Sequence, residues 1–355
     1  AGSKVLVNVV NAGAADASVS LTSTGGATVA ATTVAAGRSK QIDATSAFTA
    51  EKTGGFTLDY STTGTAAIFA DSQILFNGIA AFTVPCAAPM TTSSANAFWF
   101  NTDGFIGLGA IMNTGTASAT FAVNCGGVSQ NVVVAAGKAA LFTSAAPVGN
   151  VKITAPSGSA YVAGSWTLNS SLLNVPFEFG AGATEVKGGI AHAGDLILAG
   201  AVGSDAAIGG TVIDATGLKL AATTITSAVP HTITASAGKI VVSQLYLGEA
   251  GAIVALPLTA TATTKGAFFD SATVGSTGKV VLANTSSAAV TPSITLIGAT
   301  ASETQTVASL AAGASTVVTL GGTNVKSGAW TVSGTGITAT GFTKSGNVVS
   351  HAIGQ

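Results

Sequence analysis

The sequence predicts an all-β protein made of four tandem antiparallel β-sandwich domains, over residues 1–86, 87–180, 181–262 and 263–355. Three observations carry that prediction. Short runs of Ala, Val, Thr and Ser alternate with a period of two, tight turn signals separate them, and one order of landmarks recurs four times. Alternation places successive side chains on opposite faces of a strand, and turns roughly every 8–12 residues mark sandwiches or barrels. Helical periodicity is nearly absent.

Each copy opens with a strand running into a small polar turn. These are Val9-Val10-Asn11-Ala12-Gly13, Ile111-Met112-Asn113-Thr114-Gly115, Gly200-Ala201-Val202-Gly203-Ser204 and Leu282-Ala283-Asn284-Thr285-Ser286. A tight glycine turn follows at Val34-Ala35-Ala36-Gly37, Val134-Ala135-Ala136-Gly137, Asp214-Ala215-Thr216-Gly217 and Leu310-Ala311-Ala312-Gly313. Glycine suits a hairpin turn because such turns commonly need positive φ. The next strand lies near Phe56-Thr57-Leu58, Val151-Lys152-Ile153, Thr232-Ile233-Thr234 and Trp330-Thr331-Val332. Closing strands end on proline at Val84-Pro85, Val175-Pro176 and Leu256-Pro257, where the missing N–H marks a strand end and a boundary. The third copy is short between Ile208 and Gly217 and is expected to lack a strand or hairpin.

Copies two, three and four carry an extra strand before the opening turn, at Ala97-Phe98-Trp99-Phe100, Thr184-Glu185-Val186-Lys187 and Gly266-Ala267-Phe268-Phe269. Copy one has only Ala1-Gly2-Ser3 ahead of its first strand, so it is expected to lack this strand and expose a sheet edge. Unblocked edges pair with other strands, and donor-strand addition is one established form of that pairing. The expected acceptor is the first strand, Lys4, Val5, Leu6, Val7, Asn8, Val9 and Val10. The expected opposite contact is the C-terminal strand, Val348, Val349, Ser350, His351, Ala352, Ile353 and Gly354, which alternatively closes its own domain.

Composition narrows the function classes. Charged residues make up 8% of the chain and the net charge is -1, against about 25% charged in a typical soluble domain. Arg38 is the single arginine and the lysines are scattered, so there is no basic stripe for nucleic acid. Mean hydropathy is +0.58. Near-zero charge removes the repulsion that keeps molecules apart, which points to a surface largely covered by neighbours; the alternative is a thermophile or cell-wall protein with a neutral, hydroxyl-rich surface. The apolar stretches Ile74 to Val84 and Val241 to Leu258 are cut by Asn77, Gly78, Gly248, Glu249 and Gly251, so no membrane-spanning helix is expected. Ala1 follows no methionine or leader, as in a mature secreted protein or a trimmed chain.

No motif supports catalysis, a cofactor or a metal. His192, His231 and His351 lie far apart in the chain, without ligand spacing. Gly275-Ser276-Thr277-Gly278-Lys279 lacks the first glycine of a phosphate loop, having Thr273 there, and Val280 follows the lysine. No Gly-x-Ser-x-Gly elbow occurs between a strand and a helix. Asp59 and Asp71 are a weak match to a glycosidase carboxylate pair across a hairpin. Cys86 and Cys125 are either a disulfide or two buried thiols. Asn169 and Asn284 match the glycosylation acceptor pattern, and turn chemistry alone also accounts for Asn284. In Phe98-Trp99-Phe100, alternation is expected to send the two phenylalanines into the core and Trp99 to a domain junction.

With the Asn turns at Asn11 and Asn113 and the Val-Ala-Ala-Gly turns at Gly37 and Gly137, the arrangement resembles tandem immunoglobulin-like modules of bacterial and archaeal surface proteins, including S-layer and extracellular fibre subunits. Two cysteines bracketing a core tryptophan within one domain, the antibody-type hallmark, are missing. The resemblance implies a secreted, non-enzymatic structural subunit of a filament, sheath or S-layer, located at the cell surface. The alternative is a monomeric adhesin or glycan- or protein-binding module, for which Trp99 is the aromatic candidate.

Overall fold

A computed structural model describes residues 4–11, 13–48, 54–64, 67–76, 79–101, 104–169, 174–188, 192–214, 221–224, 231–249, 253–258, 264–269, 276–298, 300–325, 327–345 and 348–350. Among these residues every regular element is a β-strand, apart from one 3-10 turn at Thr45–Phe48. The all-β, antiparallel, sandwich-like character expected from the alternation is present.

The first repeat has β1 (Lys4–Asn11), β2 (Ala17–Ser23), β3 (Thr28–Val34), β4 (Arg38–Asp43), β5 (Phe56–Thr62), β6 (Ile68–Phe76) and β7 (Ile79–Pro85). They form an inner sheet ordered β4-β1-β6-β7 and an outer sheet ordered β3-β2-β5. The second has β8 (Ser94–Phe100), β9 (Phe105–Asn113), β10 (Ala119–Cys125), β11 (Val128–Val134), β12 (Ala139–Phe142), β13 (Val148–Thr154), β14 (Tyr161–Asn169) and β15 (Asn174–Glu178). Its layers are β12-β9-β14-β15 and β11-β10-β13-β8.

The third has β16 (Glu185–Gly188), β17 (Leu196–Ile208), β18 (Thr211–Ile213), β19 (Ala221–Thr224), β20 (His231–Tyr246) and β21 (Val254–Leu258). The fourth has β22 (Lys265–Phe269), β23 (Ser276–Asn284), β24 (Ser293–Ile297), β25 (Ser302–Thr306), β26 (Ser315–Leu320), β27 (Ser327–Ser333), β28 (Ile337–Ser345) and β29 (Val348–Ser350). Its layers are β26-β23-β28-β29 and β25-β24-β27-β22.

One side-chain device ends the opening strand in repeats one, two and four. The buried Asn11 carboxamide donates to the carbonyls of Ala15 (2.8 Å) and Val34 (3.0 Å) and accepts from the Gly13 N–H (2.9 Å). Asn113 repeats this with Ala117 (2.8 Å), Val134 (2.9 Å) and Gly115 (2.9 Å). Asn284 does so with Ala288 (2.8 Å), Leu310 (3.0 Å) and Ser286 (3.0 Å). Each Asn stops its strand in an Asx turn and ties it to the glycine turn beyond. Repeat three has Val202 at the matching position, and β17 runs on to Ile208 through a register shift after Val202. Its long partner β20 turns at Gly238, whose φ is +72°; a Cβ there would lie 2.5 Å from the Asp205 carbonyl oxygen. These two long strands form the middle of one six-stranded sheet, with β18 and β19 paired to β17 and β16 and β21 paired to β20.

Each sandwich has its own core, such as Val7, Val9, Ala17, Val19 and Leu21 in repeat one. The repeats also pack on one another. Phe98 and Phe177 meet Leu198, Leu245 and Ala255; Tyr246, Val254 and Leu256 meet Val281 and Phe342; Val10 and Phe69 meet Ala267 and Ala329. Several strands are therefore buried on both faces, including Ala95 to Trp99 of β8. Apolar side chains are thus buried between the repeats as well as within them.

Candidate assembly edges

The residues predicted as an acceptor edge do not lie at a sheet edge. Lys4 to Val10 belong to β1, which is zipped to β4 on one side and β6 on the other, with Val9 opposite both Lys40 and Ala70. Both sides of its backbone are in ladders, so β1 accepts no further strand. The opposite contact is corrected too. Val348, Val349 and Ser350 form β29, antiparallel to β28, with Lys344 opposite Val349. Val348 also meets Asn174 of β15 in a parallel bridge, which joins the inner layers of repeats two and four into one eight-stranded sheet. The strand closes its own repeat. His351, Ala352, Ile353 and Gly354 lie outside the described residues.

The described sheets of the repeats differ at another edge. In repeats two and four the first strand, β8 or β22, pairs with β13 or β27 at the side of the outer sheet. In repeat one the equivalent of β13 and β27 is β5, and it ends a three-stranded sheet. Among the described residues no strand pairs its outer side. The exposed edge is Phe56–Thr62.

Burial follows from this. Val151 and Ile153 of β13, and Trp330 of β27, are at most 1% exposed. On β5, Phe56 and Leu58 are only partly buried against the core, and Tyr60 is 51% exposed. Locating this edge required knowing which strand is the neighbour of the missing one, which spacing in the chain does not reveal.

The other predicted sites resolve as follows. Cys86 and Cys125 are free thiols, which corrects the disulfide alternative. Cys125 sits in the core of repeat two, where burial pushes its pKa up to about 12. Burial and then the Asp71 carboxylate push the Cys86 thiol up as well. Neither is a ready thiolate nucleophile. Asn284 is fully buried and used by its turn, so it is no glycan acceptor. Asn169 ends β14, and the two serines after it lie outside the described residues. Asp59 and Asp71 stand in opposite sheets rather than across a hairpin.

The aromatic alternation is right and its faces are reversed. Trp99 lies in the core, stacked on Phe142 at 6.4 Å and donating to the Ala146 carbonyl at 3.0 Å. Phe98 and Phe100 face the junction and meet Phe177 at 6.0 and 5.7 Å. Trp99 is thus unavailable to stack on a glycan.

Polar groups at the junctions are tied to one another. Asp195 accepts from the Gln244 side chain (2.7 Å) and the Leu247 N–H (2.9 Å), with His192 at 3.5 Å, and burial raises its pKa. Glu249 bridges repeats three and four through Lys279 and Lys344. A cleft of about 320 Å³ between repeats two and three is walled by Phe98, Phe177, Phe179, Ile240 and Leu258. Its Ser243 hydroxyl donates to the Leu256 carbonyl at 3.4 Å, so that polar group is already spent. Among the described residues no three His, Cys, Asp or Glu side chains gather to hold a metal.

No protein-family model, no curated protein and no solved structure matches this chain.

Proposed function

We propose that the chain is a structural subunit of an extracellular filament, sheath or S-layer, composed of four immunoglobulin-like sandwiches and joined to copies of itself by apolar contacts and strand-edge pairing. The observation that carries this reading is that, among the described residues, no strand pairs the outer side of β5. Other strands at sheet edges, among them β3, β11 and β26, contain no charged residue and no proline, so they lack two common blocks to edge association. Around repeat two the apolar side chains of Ile106, Val128, Val133 and Leu141 stand 46–66% exposed. A net charge of -1 adds almost no repulsion between copies. Such a role asks for no reaction.

The test is negative-stain electron microscopy of the purified full chain across a range of concentrations. Fibres, tubes or a lattice are expected. Uniform separate particles at the highest concentration reached would overturn the proposal.

A further inference from the structure

The unpaired edge of β5 differs in kind from the other outer-sheet edges, and the difference selects its partner. In an antiparallel ladder, alternate residues bond to one neighbour and the rest to the other. The Thr24 N–H donates to the Gly55 carbonyl at 2.9 Å, and these two residues continue the β2–β5 register. Thr57, Asp59 and Ser61 therefore bond back to β2, while the backbones of Phe56, Leu58 and Tyr60 point outward. Phe56 and Leu58 pack on the core, whereas Thr57, Asp59 and Ser61 are exposed. The outward backbone groups of β5 belong to its core-facing residues.

The opposite holds at β11 and β25. The Gly126 N–H donates to the Asn150 carbonyl, which sets the alternation on β10 and leaves Ser129, Asn131 and Val133 pointing outward from β11. All three are exposed on the solvent face. On β25 the outward residues are Ser302, Thr304 and Thr306, also exposed. Residues directly opposite in a ladder share a face. A β5–β11 or β5–β25 pair would thus set core-facing residues beside solvent-facing ones and turn the two sandwiches to opposite sides of the sheet.

We infer that β5 pairs with β5 of a second copy, antiparallel about a two-fold axis through Leu58. This rests on the reading of β5 as an assembly edge and gives it a partner and a symmetry. The contact joins two outer sheets into one of order β3-β2-β5-β5-β2-β3, with both cores on the same side. Leu58 meets Leu58 of the partner, and Phe56 meets the partner's Tyr60, which covers the half-exposed ring. Asp59 falls opposite the partner's Thr57, so the carboxylates do not face one another. The contact is isologous and closes on itself; a polymer needs a second contact elsewhere, for which the exposed side chains of repeat two are available.

The full chain is tested by sedimentation and by cysteine cross-linking. Hydrogen-bonded partners sit about 5.5 Å apart at Cα, within disulfide range. Leu58→Cys is expected to give a disulfide-linked dimer under mild oxidation, and Ser61→Cys and the unsubstituted chain are not. Tyr60→Pro removes an outward N–H that β2 does not use. Because the axis counts each substitution twice, it should weaken the dimer about a hundredfold. A monomer at every concentration, or cross-linking by Ser61→Cys but not Leu58→Cys, would refute the inference. Fibres without the Leu58→Cys cross-link would refute it and leave the polymer reading standing. The cross-linked dimer without fibres would do the reverse.

Discussion

Repeats two and four close their outer sheets with an aromatic strand, and among the described residues repeat one has no counterpart of it. Trp99 of β8 lies so close over β9 that a Cβ on Gly107 would come within 2.5 Å of its ring; Phe268 of β22 lies within 2.7 Å of the same point on Gly278 of β23. Each glycine stands the same number of residues before its Asn, and the residue at that place in repeat one is Val5. Val5 packs on the core there, and Phe48 from the 3-10 turn meets Phe56 edge-on at 6.3 Å. Repeat one therefore fills its core from within the chain. What it leaves unfilled is the backbone ladder, and side-chain packing cannot satisfy a row of N–H and C=O groups.

The largest effect should come from removing the aromatic that repeat one lacks. Trp99→Ala empties a fully buried site and should cost about 3–5 kcal/mol. Phe48→Ala, at a partly buried ring, should cost about half as much. Denaturant unfolding of both variants checks this. Equal costs would mean that Phe48 replaces Trp99 fully and that repeat one has no deficit at its edge.

A second contrast lies on the inner sheets. Repeat one places Asn8 opposite Asp71, where the other two have Ala110 opposite Gly164 and Val281 opposite Thr340. Asp71 is fully buried, accepts from the Asn8 side chain at 2.9 Å, and leaves its second oxygen without a hydrogen bond. Burial raises its pKa from 3.8 to about 7, against the smaller opposing effect of Asn8. A carboxyl with a raised folded pKa binds its proton more tightly when folded. Its contribution is therefore fully present below about pH 4 and lost as pH rises toward 7. Stability should fall by about 3 kcal/mol across that window, and Asp71→Asn should flatten the decline. Thermal melts at pH 4, 5.5 and 7.5 decide it; an unchanged slope in the variant would assign the decline to other groups.

These contrasts also mark how far the sequence could be read. The period-two runs and Asn and glycine turns gave the strands and their order, because those signals are local. That repeat one differs from the others at its start was legible by comparing copies. The edge position of β5 was not, because β1 is the first described strand but central in its sheet, while β5, well along the chain, holds the place of β13 and β27. Burial of β8 on both faces likewise hid which side of Phe98-Trp99-Phe100 faces the core, since alternation fixes parity and not direction. The central place of β29 depends on β15, distant in sequence, and no local pattern encodes it. At Asn284 the acceptor pattern and the turn pattern coincide in sequence; only burial separates them.

The smallest effect should be the same in all three repeats. Gly37, Gly137 and Gly313 have φ of +66°, +65° and +67°, and a Cβ on any of them would meet nothing within 4 Å. Substitution by alanine then carries backbone strain with no clash, about 1 kcal/mol in the left-handed region. Each turn closes with the same bond, from Arg38 to Ala35, Lys138 to Ala135 and Ala314 to Ala311, at 3.0–3.1 Å. Equal losses for Gly37→Ala, Gly137→Ala and Gly313→Ala would show that repeat one is as firmly folded as the others at its turn, with its difference confined to the β5 side. A distinctly larger loss at Gly37 would place the weakness throughout repeat one, and the exposed Tyr60 would then report a loose sandwich rather than an edge held ready for a partner.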